Sequence, residues 1–308
     1  MAKKQLKPTI LSLAVAASLG VSSMPAHSLS LGISGQINKT IGWIDNGANS
    51  AIGFFDNNNS GSRFRFTGSE EISGGLKVGG VWEWQWQNSS SSKASFNSNG
   101  EFSESTATLS DRKTELYFQG GWGKVTLGKG DGAANGTAEV DLSGTPAIDY
   151  AGGNTCLLGS MTYGSAGTTV KTSYSHYDGE SRNNRLRYDT PKLAKVFGIA
   201  LSAGMAKESE LAFRYAQTIG STKVAVALGA TDRGDAAGTD SQGLPNKDRK
   251  RLAASGSVLL KNGLNFTLSY STQERTGDPT DNTNAYFKIG WKRAKHAVSL
   301  SAGQQRDT

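Results

Sequence analysis

Residues 29–43 read LSLGISGQINKTIGW, and their pattern predicts the fold of the chain. The large apolar residues of this stretch all occupy odd positions: Leu29, Leu31, Ile33, Ile37, Ile41 and Trp43. Polar residues fill most of the even positions, so the period is two. Such alternation is typical of a β-strand with one apolar and one polar face. The stretch has fifteen residues, whereas strands in soluble sheets usually have about five or six.

The alternation recurs in later segments. In residues 62–69, Phe64 and Phe66 alternate with Arg63 and Arg65. No segment keeps a period of about 3.6 residues over three turns, so we predict an all-β protein. The predicted strands are 29–43, 62–69, 76–87, 112–119, 124–129, 156–163, 168–177, 185–189, 197–206, 211–217, 223–231, 250–260, 264–271, 284–291 and 296–303, which makes fifteen.

Short and long connections alternate between these strands. Tight turns such as 120–123 separate longer polar loops such as 89–111, 130–155 and 232–249. This order predicts an antiparallel up-and-down meander with turns at one end and loops at the other. Both features are typical of a transmembrane β-barrel, which closes because lipid cannot satisfy an open sheet edge. Single-chain bacterial barrels have even strand numbers, so we expect sixteen strands when complete, with the last strand missing after residue 303.

The first 28 residues have the pattern of a secretory signal peptide. Lys3, Lys4 and Lys7 precede an apolar run, and Ala26-His-Ser28 fits the small-x-small cleavage rule. We predict residues 1–28 as the signal peptide and residues 29–308 as a β-barrel domain that is truncated at its C-terminus. Removal of three lysines and no acidic residue lowers the formal net charge from +7 to +4.

Composition and motifs exclude several other classes. Apart from the N-terminal run, no stretch approaches the roughly 18 apolar residues of a membrane helix. A single cysteine, Cys156, excludes an intramolecular disulfide framework and a cysteine-based zinc site. His176 and His296 lie in no recognisable Ser/His/Asn context, so we expect no enzyme activity, no cofactor and no metal. No helix is predicted after the glycine-rich residues 128–132, so a nucleotide loop and a nucleic-acid partner are not expected.

Three motifs resemble the general, nonspecific porins of Gram-negative outer membranes. SRFRFTGSEE at 62–71, with GGLK at 74–77, resembles that family's second strand, first turn and third strand. GWGKVTLG at 121–128 resembles the strand that leads into its third loop. RNNRLRYDTP at 182–191 is similar to its mid-barrel stretch. The matching segments cover most of the mature chain, but the C-terminal aromatic residue that the family uses as an assembly signal is absent.

The resemblance implies an outer-membrane channel for the passive diffusion of small hydrophilic solutes and ions. It also implies a homotrimer and a third loop that folds inward to form the constriction. The expected partners are further copies of the chain, outer-membrane lipid, lipopolysaccharide and small polar solutes. The basic segment 247–251, at a junction of loop and strand on the outer side, either contacts lipopolysaccharide phosphates or is simply a solvated rim. The alternative is a surface-exposed adhesion or interaction barrel with a plugged lumen and matched charges.

Strand parity predicts a basic wall inside the barrel. The inward residues are the bases Arg63, Arg65, Lys77, Lys171, Arg185, Arg187, Arg214 and Lys288, together with one acid, Glu83. Phe64 and Phe66 would face lipid, where a basic side chain near the midplane costs about 2–4 kcal/mol, so the arginines between them must face the lumen. The excess of bases predicts a weak preference for anions.

The third loop, residues 130–155, carries acidic residues. They are Asp131, Glu139, Asp141 and Asp149. Acids on a loop that faces arginines on a wall create a transverse field, which orients polar solutes during partial dehydration. The alternative is that each acid is simply solvated. Trp82, Trp84 and Trp86 point outward together, which indicates either a subunit interface or ordinary lipid contact.

Overall fold

The computed structural model describes residues 30–97, 99–103, 105–152, 160–163, 168–170, 173–205, 207–234, 248–276 and 281–307. The strands are Ser30–Gln36 (β1), Lys39–Asp45 (β2), Ser50–Asp56 (β3), Arg63–Ile72 (β4), Leu76–Gln87 (β5), Ser95–Phe96 (β6), Phe102–Ser103 (β7), Thr108–Gly120 (β8), Gly123–Asp131 (β9), Thr162–Tyr163 (β10), Thr168–Thr169 (β11), Arg182–Asp189 (β12), Phe197–Gly204 (β13), Glu208–Ile219 (β14), Thr222–Arg233 (β15), Arg249–Leu259 (β16), Leu264–Arg275 (β17), Asn282–Arg293 (β18) and His296–Asp307 (β19). Single turns of 3₁₀ helix lie at Asn58–Ser60, Ser73–Gly75 and Ser91–Lys93. Among the described residues, no helix is long and apolar enough to span a membrane. The predicted signal peptide lies outside the described residues.

One large antiparallel sheet contains 13 of the strands, in the order β1-β4-β5-β8-β9-β12-β13-β14-β15-β16-β17-β18-β19. Each strand pairs with the next one in this order. The β14–β15 ladder, for example, runs from Glu208 opposite Arg233 to Ile219 opposite Thr222 without a register shift. The predicted all-β, up-and-down antiparallel fold is therefore confirmed.

Two of the fifteen predicted strands lie outside this sheet. The described parts of segments 156–163 and 168–177 form only the short β10–β11 ladder. The reason is that β9 pairs directly with β12, with Asp131 opposite Arg182 and Lys124 opposite Asp189. The ladder leaves no space for two further strands, and the connection between β9 and β12 therefore runs from residue 132 to residue 181.

The predicted strand 29–43 is divided at Asn38. Its first half, β1, pairs with β4 in the large sheet, whereas its second half, β2, forms a separate hairpin with β3. Asn38 interrupts the strand because its backbone N–H donates to Ser62 Oγ at 3.0 Å and its side-chain amide donates to Ser60 O at 3.0 Å. One face of the hairpin packs in a small core that includes Phe55.

Burial in the large sheet is inverted relative to a soluble protein. The face that carries Ser257, Asn265 and Lys288 is buried although its side chains are polar. The opposite face exposes large apolar residues, including Leu228 and Leu268. Soluble proteins bury such residues, whereas a barrel in lipid presents them to the acyl chains. We call these two surfaces the polar face and the apolar face.

Candidate functional site

The connection between β9 and β12, residues 132–181, is called the crossing loop because its described parts cross the polar face from β13 to β19. Side chains of the sheet accept hydrogen bonds from its backbone N–H groups at distances of 2.6 to 3.0 Å. The acceptors are Ser202 for Ala133, Glu210 for Ala134 and Glu180, Ser255 for Val140, Ser257 for Leu142 and Gln305 for Ser175. A loop without a ladder of its own needs such acceptors, so these side chains fix its path.

The loop and the sheet approach most closely at Gly229 of β15. A Cβ atom on Gly229 would lie 2.2 Å from Thr137 Oγ1, a distance that no side chain could occupy without displacing the loop. Thr137 is fully buried, and its hydroxyl donates to Ala134 O at 2.7 Å. A glycine on the wall therefore lets the loop lie flat against β15.

A cavity of about 810 Å³ remains beside the crossing loop. On the sheet side it is lined by Arg63 of β4, Arg112 of β8 and Arg182 of β12. On the loop side it is lined by carboxylate and imidazole groups, which belong to Glu139, His176 and Asp178. Asp131 of β9 also lines the sheet side, where three bases outnumber it, whereas the loop side carries two carboxylates and one imidazole. The two sides of the cavity thus differ in charge. Such an arrangement imposes an electric field across the space between them.

Glu83 of β5 is a fully buried carboxylate on the polar face, and three arginines surround it. Arg112 Nε lies 2.6 Å from Oε1, and Arg65 Nε lies 2.7 Å from Oε2. Arg63 Nη1 is 3.8 Å from Oε1. The structure thus places Arg63 and Arg65 on the polar face, with Phe66 exposed on the apolar face. The carboxylate orders three guanidinium groups and neutralises the charge of one.

Arg185, Arg187 and Arg214 hold the beginning of the crossing loop. Arg187 donates to Gly132 O at 2.8 Å, and Arg214 donates to Ala133 O and Asn135 O, both at 2.8 Å. Arg185 donates to Asp131 O at 2.8 Å and pairs with Glu115 at 2.5 Å. These arginines were expected to face loop acids across the lumen. They bind main-chain carbonyls instead, because the loop lies directly against them.

The remaining predicted basic residues do not reach the cavity. Lys77 is exposed near the turn end of β5, and the strand rise of about 3.3 Å per residue puts it roughly 20 Å from Glu83. Arg65 contacts Glu83 but does not line the cavity. Lys171 lies outside the described residues.

The predicted loop acids occupy two different places. The prediction that Asp131 belongs to the loop is wrong. Asp131 is the last residue of β9, because Arg182 of β12 pairs opposite it and extends the strand. Its carboxylate lies 3.2 Å from Arg182 Nη1 and also binds Lys113. Asp131 lines the cavity from the sheet side and Glu139 lines it from the loop side.

Asp141 and Asp149 lie against β18 and β19 instead. Asp141 is 2.8 Å from the fully buried Nζ of Lys288, and Asp149 accepts a hydrogen bond from Tyr286 at 3.0 Å. Ser301 also donates to Asp149. The expectation that these two acids face arginines is therefore wrong. They attach the middle of the loop to the sheet, because the loop reaches as far as the last two strands.

Glu139, His176 and Asp178 form a compact group on the loop side of the cavity. His176 Nε2 lies 2.8 Å from Glu139 Oε1. Burial and the nearby Glu139 carboxylate raise the pKa of Asp178 to about 7. Burial lowers the pKa of His176, but its hydrogen bond with Glu139 and the charges of both acids outweigh burial and raise it.

Glu180 anchors the end of the crossing loop. Its buried carboxylate lies 2.9 Å from Arg233 Nη1 and 2.8 Å from Arg249 Nε, and Arg251 Nη1 is 3.4 Å away. Burial alone would raise the pKa of Glu180, but the hydrogen bond from Arg249 and the charge of Arg251 hold it below its usual value. The loop is therefore charged at the point where it returns to the sheet.

Four site residues are not predicted by the sequence pattern: Arg112, Arg182, His176 and Asp178. Parity gives no information about the loop residues, because the period of two ends with the strand. Arg112 does carry one signal in the sequence: it is a basic residue at the first position of the predicted strand 112–119, directly after the loop 89–111. A register shift opposite Glu83 and Trp84 aims it toward Glu83, and pattern alone does not reveal this shift.

Comparisons with known proteins agree with this architecture. The sequence model of a family described as Gram-negative porin matches residues 11–308. The in-vitro folded OmpT, an outer membrane protein of Vibrio cholerae, is similar in structure with a TM-score of 0.55 at 12% identity, covering 92% of this chain and 78% of that chain. OprB of Pseudomonas putida gives a TM-score of 0.55 at 9% identity, with 91% and 75% covered. Salmonella typhi OmpF in complex with daunomycin gives 0.52 at 14%, with 91% and 79% covered. No curated protein sequence matches the chain.

Proposed function

Because this chain belongs to the Gram-negative porin family and is an outer-membrane channel, we propose that it conducts small hydrophilic solutes and ions by passive diffusion. The family and the fold indicate a channel rather than an enzyme. The observation that carries the proposal is the cavity of about 810 Å³ on the polar face, with charged groups on both sides. A water-filled space with polar walls lets hydrated solutes cross a barrel whose outer face contacts lipid.

The crossing loop is proposed to form the constriction of this channel. Its support is the set of wall side chains that bind its backbone and hold it on the polar face. Arg63, Arg112 and Arg182 then face Glu139 and Asp178 across the remaining space. A polar solute aligns its dipole in the resulting field, whereas an apolar solute gains nothing in exchange for lost hydration.

We propose a weak preference for anions. Its support is the cluster around Glu83, where three guanidinium groups share one carboxylate and leave an excess of positive charge on the wall. The acids of the loop reduce this excess, so the preference is small. Positive potential on a pore wall concentrates anions near it.

Planar-bilayer recording of the purified chain tests the channel and its ion preference. We expect stepwise conductance, and a small reversal potential of the anionic sign under a salt gradient. Protein-free bilayers are the control. A folded, inserted protein without conductance would contradict the channel, and a cationic reversal potential would contradict only the anion preference.

Two adjacent loop residues test the constriction. Ala147 lines the cavity, whereas its neighbour Ile148 is 65% exposed and does not line it. Ala147→Trp should lower the single-channel conductance because the indole fills part of the space, and Ile148→Trp is the matched control. Equal conductance in both variants would place the constriction elsewhere.

A homotrimer is proposed for the assembled protein, with lipid and lipopolysaccharide around it. Its support is the aromatic surface of β5, where Trp82 is 55% exposed and Trp86 is 59% exposed on the apolar face. Trp84 packs against Phe64 at 5.4 Å between ring centroids and braces this surface. Sedimentation in detergent should give a trimer mass, and Trp82→Ala with Trp86→Ala should weaken it. A wild-type monomer under the same conditions contradicts the proposal.

Cleavage of residues 1–28 as a signal peptide is also proposed, on the sequence pattern alone. N-terminal sequencing of protein taken from outer membranes should begin at Leu29. An N-terminus at Met1 contradicts cleavage.

The second candidate is an interaction barrel with a plugged lumen. The observation that favours it is the charge matching beneath the crossing loop, where Lys288 pairs with Asp141 and Glu180 pairs with Arg233 and Arg249. This candidate predicts folded protein without conductance in the bilayer experiment above, so one recording distinguishes the two.

A further inference from the structure

Three different side chains converge on the loop side of the cavity. One ligand atom from each of Glu139, His176 and Asp178 can be chosen so that all three lie within 4.8 Å of one another. The group combines one imidazole with two carboxylates. Such mixtures suit first-row transition metals, since imidazole favours zinc, copper and nickel over calcium and magnesium.

The neighbouring structure positions each of these ligands. Both oxygens of Asp178 accept backbone N–H bonds, from Gly136 at 2.6 Å and from Ala138 at 2.7 Å. The carbonyl of His176 accepts a hydrogen bond from Ser271 of β17 at 2.7 Å. These bonds fix the carboxylate and the main chain of the histidine on one side of the cavity.

The imidazole of His176 is confined by its surroundings. A Cβ atom on Gly152 would lie 2.4 Å from its Cε1 atom, so the ring lies directly over the glycine backbone. Tyr150 meets the same ring edge-on, with centroids 5.7 Å apart and an interplanar angle of 85°. A ring held on two sides keeps its nitrogen directed toward Glu139, and a confined ligand loses little rotational entropy on binding.

The charges of the group favour a cation. The carboxylates of Glu139 and Asp178 offer ligand atoms within 4.8 Å of each other, and two negative charges at such a separation repel each other. Arg63, Arg112 and Arg182 line the sheet side of the same cavity. A divalent ion beside the carboxylates removes the repulsion between them. Three protein ligands leave a tetrahedral ion one open position toward the cavity.

We propose that Glu139, His176 and Asp178 bind a divalent transition-metal ion of the zinc class in the wall of the cavity. Its effect on conduction rests on the proposed channel function, because a bound ion adds two positive charges to the acidic side of the constriction. The bound ion therefore lowers cation flow and moves the ion preference toward anions.

Binding is tested without reference to conduction, by titrating the folded full chain in detergent with Zn²⁺ in a calorimeter. All proteins carry Cys156→Ser, which removes the thiol as a ligand. His176→Gln should weaken zinc binding at least about tenfold, as losses around metal sites commonly do. His296→Gln is the matched control, because His296 is an exposed histidine in β19 at the turn end, and it should leave the affinity unchanged.

Three calorimetric outcomes overturn the proposal: no binding by the parent protein, an equal affinity in His176→Gln, or equal affinities for Zn²⁺ and Mg²⁺. Bilayer recording then separates the site from its effect on transport. In a salt gradient, zinc should shift the reversal potential of the parent toward anions and leave that of His176→Gln unchanged. Binding without a shift in the reversal potential overturns the transport effect, and an absence of conductance in both proteins concerns the channel function rather than the metal site.

Discussion

At the residue scale, Glu83 shows how a barrel wall holds charges that a soluble core would exclude. Its carboxylate is fully buried among Arg63, Arg65 and Arg112, and two of these bonds are at 2.6 and 2.7 Å. Removal of one partner from a buried ionic cluster is costly because the others stay desolvated. Here the guanidinium groups of Arg63 and Arg112 border a cavity, so water can replace part of the lost interaction.

Glu83→Gln should therefore change ion selectivity more than folding. The substitution removes one negative charge beside Arg63 and Arg112, which line the cavity. A unit charge about 7 Å from an ion in water alters its energy by about 0.6 kcal/mol, with opposite signs for anions and cations, so the anion-to-cation permeability ratio should rise about sevenfold. Reversal potentials in a salt gradient measure this ratio.

The control for that experiment is Glu71→Gln. Glu71 carries the same charge as Glu83 and lies on the same face of β4 as Arg63. It differs from Glu83 in position, because it lies opposite Lys77 near the turn end. Its replacement should leave the permeability ratio close to that of the parent. If both variants shift the ratio equally, the long-range charge of the barrel rather than the Glu83 cluster determines selectivity.

The sequence predicts the inward residues of this cluster only where the strand period continues. Arg63 and Arg65 follow from parity, because Phe64 and Phe66 mark the opposite face. Glu83 follows in the same way from its neighbours Trp82 and Trp84. Their pairing with Arg112 does not follow, since it depends on the register shift between β5 and β8. Register is a property of two strands together, so alternation within a single strand carries no information about it.

At the element scale, the crossing loop is stabilised by its two ends. Arg187 and Arg214 bind its first carbonyls, and Glu180 joins its last residues to Arg233 and Arg249. Because 48 residues lie between Asp131 and Glu180 in the chain, the charges at the two ends restrict the path of a long connection.

Glu180→Gln should loosen the end of this loop and change the acid stability of the protein. Since the folded-state pKa of Glu180 lies below its usual value of 4.5, the ionised carboxylate stabilises the fold above that pH. This contribution is lost as the pH falls through the lower folded-state pKa. At pH 7 the variant should lose about 3 kcal/mol of unfolding free energy. Denaturant titrations between pH 7 and pH 3 measure the difference.

The parent should approach the variant as the pH falls, because protonation of Glu180 removes the same charge. Glu101→Gln is the control. Glu101 is exposed in the connection between β6 and β7, accepts a hydrogen bond from Asn97, and lies far along the chain from both ends of the crossing loop. A difference between parent and Glu180→Gln that stays constant down to pH 3 would show that shape, rather than charge, holds the loop.

The sequence also shows why an element can be misassigned. Segments 156–163 and 168–177 have some strand character, and Val170 donates to Met161 O at 3.0 Å across the short ladder. Whether such a segment joins the large sheet depends on competition for an edge. Arg182–Asp189 pairs with β9 instead, and the hydrogen bonds of Arg185 and Arg187 to Asp131 O strengthen that choice.

At the scale of the whole molecule, the distribution of polar and apolar surface reverses that of a soluble protein. Aromatic side chains mark the turn end of the apolar face: Trp122 stacks on Tyr188 with centroids 6.5 Å apart, and Trp291 donates to Asn262 O at 3.2 Å. Such residues are typical of the membrane interface, where a ring meets lipid and its polar atom meets water. The division into an apolar and a polar face can be predicted from alternation alone, because each strand of the large sheet repeats it.

A pair of cysteines in β14 tests the assignment of the two faces. Ala216 shares the polar-face parity of Glu210 and Arg214, whereas Leu211 is 48% exposed on the apolar face. In the Cys156→Ser background, inserted Ala216→Cys should react rapidly with a charged, membrane-impermeant thiol reagent, because water reaches the lumen. Leu211→Cys should react slowly in bilayers, since acyl chains cover it and the thiolate that attacks forms only in water. In small detergent micelles the difference should narrow. Equal rates in bilayers would show that water reaches Leu211 and would contradict the assignment of the apolar face to lipid.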